Sequence, residues 1–292
     1  LRALGAKIKV EKGYIIADGH GMKGNHVYLG GRFGSSVLAT ANTMMAATLA
    51  KGVTVIENAA CEPEVADLTS FLIKMGAKIK GQSTHRLVIE GVRHLHGAEH
   101  TVMPDRIEAG TYTIAAAITK GDITVKNARL EHLVAVADVL EQSGLDITNV
   151  PNGFRARYVK KLKPLDITTL PYPGFPTDMQ AQFMSLMAVT DGISVITEKI
   201  FPERFIHISE LNRMGAEIQL EGPCAIVKGV KHLSGAPVMA SDLRASAALV
   251  LAGLVAKDRT DIHRIYHLDR GYDRLEKKLE KLGARVWREK ER

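Results

Sequence analysis

Hydrophobic and polar positions switch between two periods along this chain, and the switch itself repeats. A stretch with helical period ends in Gly-Ala or a close variant and gives way to an alternating run. The instances are Gly5-Ala6-Lys7-Ile8-Lys9-Val10, Gly76-Ala77-Lys78-Ile79-Lys80, Gly144-Leu145-Asp146-Ile147, Gly215-Ala216-Glu217-Ile218 and Gly283-Ala284-Arg285-Val286. Their first glycines lie 71, 68, 71 and 68 residues apart. Half-way between them fall Lys51-Gly52, Lys120-Gly121, Asp191-Gly192 and Lys257-Asp258, each followed by a β-rich run. A fixed period this long predicts one supersecondary unit copied several times. Equivalent loops of the copies then share one edge of the fold, where a site can be assembled.

Each copy reads β-α-β-α-β-β once the incoming strand is counted, which places the chain in the α/β class. The first helix of each copy, over residues 38–50, 107–119, 180–190 and 243–256, is apolar nearly all round and is expected to be buried. The second helices, over 65–75, 133–143, 206–214 and 272–282, are two-faced. Three copies should therefore bury their apolar helices inside and pave the outside with sheet and amphipathic helix. Copies starting near Asp105, Asp178 and Asp242 make one complete three-copy domain over 104–292. One full copy and the tail of another make an incomplete domain over 1–103, with the junction near Val102-Met103-Pro104.

Composition narrows the function classes. The chain has 292 residues, 46% of them hydrophobic and 24% charged, which fits a globular protein with real cores. Its longest apolar stretches, such as 245–256, are too short to span a bilayer. It opens on Leu1-Arg2-Ala3-Leu4, with no charged-then-apolar leader and no initiator Met, so a piece of a longer chain is expected. Cys61 and Cys224 form no metal-spaced pair, and the close histidine pairs are His94/His96 and His263/His267. No metal or cofactor is expected, and a reducing cytoplasm is. The net charge of +7 suits anions. Nucleic-acid motifs and basic aromatic strands are lacking, so a small, highly anionic substrate is favoured.

Acids open three of the apolar helices, at Asp105-Arg106, Asp178-Met179 and Asp242-Leu243-Arg244. Asp is a preferred N-cap, and for Asp105 capping is favoured over a functional role. Asp178 stands in Pro173-Gly174-Phe175-Pro176-Thr177-Asp178-Met179-Gln180-Ala181-Gln182-Phe183, where two amides enter a buried helix and need partners. A carboxylate kept ionised at a helix N-terminus suits proton abstraction from a hydroxyl within reach. The loops before the second helices, Lys199-Ile200-Phe201-Pro202-Glu203-Arg204-Phe205 and Arg264-Ile265-Tyr266-His267-Leu268-Asp269-Arg270-Gly271-Tyr272, deliver an arginine at the same point of the repeat. Arg204, Arg244 and Arg270 converging on one cleft would grip a carboxylate and a phosphate in bidentate fashion. In the front copy Gly34-Ser35-Ser36-Val37 offers free N–H groups at a helix start, either as a phosphate seat or as an ordinary cap by Ser36.

Residues 176–183, 201–205 and 264–272, with Val238-Met239-Ala240-Ser241-Asp242-Leu243-Arg244-Ala245-Ser246, closely resemble the enolpyruvyl transferase family, and the likeness runs from residue 1 to 292. The resemblance is to the branch whose acceptor is UDP-N-acetylglucosamine. It implies two inside-out α/β barrel-like domains of three βαβαββ units each. It also implies an addition–elimination that moves the enolpyruvyl group of phosphoenolpyruvate to the sugar 3-hydroxyl and releases phosphate, a step committed to peptidoglycan.

By the same resemblance, Asp178 contacts the reacting hydroxyl as its base. Ile200 offers a backbone contact to the sugar nucleotide, and Phe201 lies beside the sugar pocket. Arg204 and Arg270 hold the phosphoenolpyruvate end, with Asp242 and Arg244 as cleft neighbours. Ser35, Ser36 and Val37 match the segment whose amides hold the diphosphate, although Leu38 stands where a glycine is common. The family's essential lysine and its mobile proton-donor loop would lie upstream of Leu1, so the chain as written is expected to be inactive or very weak without that segment. Two rivals remain: the sister 3-phosphoshikimate 1-carboxyvinyltransferase, and a non-catalytic nucleotide- or RNA-binding module.

Overall fold

The structure is a computed structural model that describes residues 1–289. The chain divides into two compact units, Leu1–Met103 with Pro171–Pro173, and Pro104–Leu170 with Gly174–Arg292.

The first unit carries helices α1 (Val37–Ala47) and α2 (Pro63–Lys74). Its four-stranded sheet runs in the order His26–Tyr28, Val53–Glu57, Arg86–Glu90, Lys78–Lys80, the first pair parallel and the others antiparallel. Lys7–Glu11 and Tyr14–Asp18 form a separate hairpin. Alternation along the sheet sends Ile56, Ile79, Leu87 and Ile89 into a core shared with Met44, Ala47, Val65 and Leu72 of the helices. One expectation fails here. Helix α1 is not buried all round: it packs through Thr40, Thr43, Met44 and Ala47, while Leu38 and Met45, with Leu49 just beyond its end, are exposed. In this unit α2 and the sheet cover one face of α1, and an apolar sequence does not bury a face by itself.

The second unit holds three successive copies. The first comprises α3 (Arg106–Ile118), α4 (Val134–Ser143) and an antiparallel sheet in the order Asp122–Lys126, Gly153–Tyr158, Leu145–Val150. The second comprises α5 (Gln180–Ala188), α6 (His207–Arg213) and the sheet Ile167–Thr168, Ile193–Thr197, Cys224–Lys228, Glu217–Glu221. The third comprises the parallel pair Pro237–Met239 and Asp261–His263, α7 (Leu243–Gly253) and α8 (Leu275–Lys281).

Every residue of α5 is buried, and Ser185 Oγ on it donates to the Ala248 carbonyl of α7 at 2.9 Å. Small residues permit that approach: Ala181, Ser185 and Ala188 on one helix, Ala245, Ala248 and Ala252 on the other. Helices α3, α5 and α7 point the same way. Residues just past their C-terminal ends, Lys120, Asp191 and Val255, line one cavity of about 680 Å³. Gln182 and Arg244, in the first turns of α5 and α7, and Thr111, in the N-terminal half of α3, meet around the Tyr272 hydroxyl. Three N-terminal dipole ends thus face one pole of the unit, which favours negative charge there.

Two further expectations are not met in full. The second helix expected over 272–282 begins only at Leu275, as α8, after a 3-10 helix over Ile265–Arg270. The alternating run after Gly283 forms no strand among the described residues. A strand exists only through a paired neighbour, so its local pattern is insufficient.

Candidate active site

The positive pole gathers three of the sequence-predicted side chains. Asp178 lies in the 3-10 turn Thr177–Met179 that leads into α5. Pro176 at φ −73° in the extended region sets the approach. Arg204 follows the strand Ile193–Thr197, in a loop closed by its own N–H donating to the Phe201 carbonyl at 2.8 Å. Arg244 stands in the first turn of α7, whose N-terminus is capped by the Asp242 carboxylate accepting from the Arg244 and Ala245 N–H groups at 2.7 and 2.9 Å.

Asp178 Oδ1 is held by Arg204 Nη2 at 2.9 Å and by Arg244 Nε at 3.2 Å. Burial alone would raise the Asp178 carboxyl, but the charges of Arg244 and Arg204 outweigh it and hold the group below the ordinary carboxylate value. Burial likewise works against the Arg244 charge, and Asp178 more than restores it. The two guanidinium groups stack further on rings, Arg204 over Phe201 at 5.6 Å and Arg244 over Tyr272 at 6.0 Å. This cluster is a charged, anion-seeking surface with one carboxylate at its centre. It can bind a multiply charged anion and, once the arginines are drawn off, accept a proton.

The other predicted residues are placed differently. Arg270 is exposed at the end of its 3-10 helix, and no hydrogen bond or ion pair joins it to Asp178, Arg204 or Arg244 among the described residues. Asp242 acts as a helix cap. The Ile200 and Phe201 N–H groups both donate to Glu198 Oε1, at 2.8 and 2.9 Å, and the Phe201 ring is exposed. In the first unit Ser36 caps α1, its Oγ accepting from the Ala39 N–H at 3.3 Å, between a half-buried Ser35 and Val37. Among the described residues no group of three or more His, Cys, Asp or Glu could hold a metal ion. None of their helices is long and apolar enough to cross a membrane.

Sequence reading missed the groups behind the site. Tyr272 is buried, its hydroxyl 2.8 Å from Thr111 Oγ1, 3.4 Å from Gln182 Nε2 and 3.5 Å from Arg244 Nη1. Gln182 Nε2 also donates to the Asp178 carbonyl at 2.9 Å, so one of the two buried amides finds partners. The side-chain amide of Gln180 has none among the described residues. Glu198 was legible in principle: Ser194, Ile196 and Glu198 occupy the buried parity of one strand.

Helices buried inside sheets, with anion-binding groups at the helix N-termini, define an enolpyruvyl transferase fold. The structure of the enolpyruvyl transferase NikO from Streptomyces tendae matches with a TM-score of 0.86 and 25% identity, over 97% of this chain and 69% of that one. EPSP synthase from Acinetobacter baumannii matches with a TM-score of 0.74 at 19% identity, which speaks for the fold alone. The chain belongs to the EPSP synthase (3-phosphoshikimate 1-carboxyvinyltransferase) family, which it matches over residues 1–279. Its curated relatives include the UDP-N-acetylglucosamine 1-carboxyvinyltransferase of Methylacidiphilum infernorum, 53% identical over 99% of this chain and 68% of the relative. The protein of the same name from Geobacter metallireducens is 55% identical over 100% of this chain and 69% of the relative.

Proposed function

We propose that the enzyme to which this chain belongs carries out the UDP-N-acetylglucosamine 1-carboxyvinyltransferase reaction, transfer of the enolpyruvyl group of phosphoenolpyruvate to the sugar 3-hydroxyl with release of phosphate, and that the chain alone is inactive or very weak. The observation that carries the reading is identity of 53–55%, over nearly the whole chain, to relatives of that name. The Asp178–Arg204–Arg244 cluster supports it chemically. The sister reaction on shikimate 3-phosphate has less support, because the matching EPSP synthase structure shares only 19% identity.

The hydroxyl oxygen bonds to C2 of phosphoenolpyruvate while C3 takes a proton. The adduct then expels phosphate and gives up a C3 proton, leaving the enol ether. Arg204 and Arg244 hold the phosphate and carboxylate of phosphoenolpyruvate as bidentate partners. In doing so they leave Asp178. The carboxylate loses the two charges that depress its basicity and becomes a competent base for the 3-hydroxyl only when the second substrate is in place. Arg270 joins the phosphoenolpyruvate end, Ile200 and Phe201 border the sugar, and the amides of Ser35, Ser36 and Val37 seat the diphosphate. The enzyme works in the cytoplasm and serves peptidoglycan synthesis.

The test is phosphate release with both substrates, measured on this chain and on one extended upstream to the length of its relatives. Activity with UDP-N-acetylglucosamine in the extended chain is expected. Activity with shikimate 3-phosphate instead would overturn the reading.

A further inference from the structure

Glu198 is fully buried at the end of the strand Ile193–Thr197 and carries no role in the reaction above. Its Oε1 accepts from Thr169 Oγ1 at 2.6 Å, from the Ile200 N–H at 2.8 Å and from the Phe201 N–H at 2.9 Å. Its Oε2 accepts from Thr177 Oγ1 at 2.8 Å. Each hydroxyl accepts in turn: Thr169 Oγ1 from the Lys199 N–H at 2.9 Å, Thr177 Oγ1 from Arg204 Nη1 at 3.1 Å. A backbone N–H and a guanidinium can only donate, so both hydroxyl protons must point at Glu198. The direction of every bond in the network is therefore fixed, and the carboxylate is its common acceptor.

We propose that Glu198 is a positioning residue for the transfer reaction. It holds the Ile200–Phe201 backbone on one oxygen and, through Thr177, Arg204 on the other. Thr177 immediately precedes Asp178, so one carboxylate sets the spacing between the base and one of its two arginines. Arg204 is left with Nη2 for Asp178, and for phosphoenolpyruvate when it binds. A buried carboxylate with fewer donors would be costly, and with four it is rigid. This rests on the proposed reaction, and its test is chosen to separate the two.

Glu198→Gln keeps the volume but turns an –NH2 toward donors. In the upstream-extended chain the KM for phosphoenolpyruvate should rise, and kcat/KM should fall by about 10- to 100-fold, as a misplacement of an ångström or less does. Thr177→Val should show the same split, and the two losses together should be less than additive because they cut one path. Amide hydrogen exchange at Ile200 and Phe201 should quicken about tenfold or more, while that of Leu186 in α5 stays put, since a local network opens without global unfolding. Unchanged exchange at these two amides in Glu198→Gln overturns the proposal, as do unaltered kinetics, fully additive losses or equal quickening at Leu186. The exchange measurement needs no turnover. An extended wild-type chain without phosphate release would overturn the functional reading instead.

Discussion

Replacing Asp178 by Asn tests the cluster most directly, because the change is nearly isosteric and removes only the charge. Two arginines whose side chains are 23% and 13% exposed then converge without their shared counter-ion. Removing one partner of a buried pair costs about 3–5 kcal/mol, whereas an exposed pair contributes about 0.2–1 kcal/mol. Asp178 is 37% exposed, so water screens part of the loss and a destabilisation of about 1–2 kcal/mol follows. That corresponds to a Tm about 2–3 °C lower for a protein of 292 residues.

The sign with pH is fixed by the direction of the shift. The folded Asp178 lies below its ordinary value of 3.8, so its stabilisation is fully present above that pH and is lost as pH falls through the folded value. Calorimetric melts of wild type and Asp178→Asn should differ at pH 7, and the gap should narrow as pH falls below 3.8. In the extended chain the variant should turn over about 10²–10⁴-fold more slowly, the range for losing a general base. It should nevertheless bind phosphoenolpyruvate at least as tightly, since the arginines no longer have to leave a carboxylate. A variant as stable as wild type at pH 7, a gap that does not narrow as pH falls below 3.8, or weakened phosphoenolpyruvate binding would refute the reasoning.

Two further outcomes bear on the frame around the site. His207 is buried, and burial, reinforced by Arg204 and opposed by Asp242, pushes its pKa down to about 4 from 6.5. The fold favours the neutral ring, so stability is full above pH 6.5 and falls by up to about 3 kcal/mol on the way to pH 4. His207→Gln should flatten that limb in melts taken across the interval. At Gly229 an added Cβ would lie 1.7 Å from the Thr190 carbonyl oxygen, a backbone atom that cannot swing away. Gly229→Ala should lower stability by about 1–3 kcal/mol in urea denaturation, and an unchanged midpoint would contradict the packing described.

The sequence by itself determined the repeat, the class of most elements and the identity of the ion-cluster residues. Periods of 3.6 and 2 are local properties, so α3, α4, α5 and α7 fall within a few residues of where the pattern puts them. Asp178, Arg204 and Arg244 were legible because a repeat places equivalent loops at one edge. Local pattern misled wherever the outcome depended on a neighbour. The run after Gly283 lacks a pairing strand among the described residues, α1 keeps an apolar face in water, and the helix expected from residue 272 begins only at Leu275. Only the tertiary structure decided that two arginines share one oxygen of Asp178, that Arg270 stands apart from them, and that Glu198 ties the loops together. Hydrogen bonds and ion pairs act over about 3 Å, whereas the residues that make them here lie tens of positions apart along the chain. That distance is closed by burial of the helices between them, which no local pattern records.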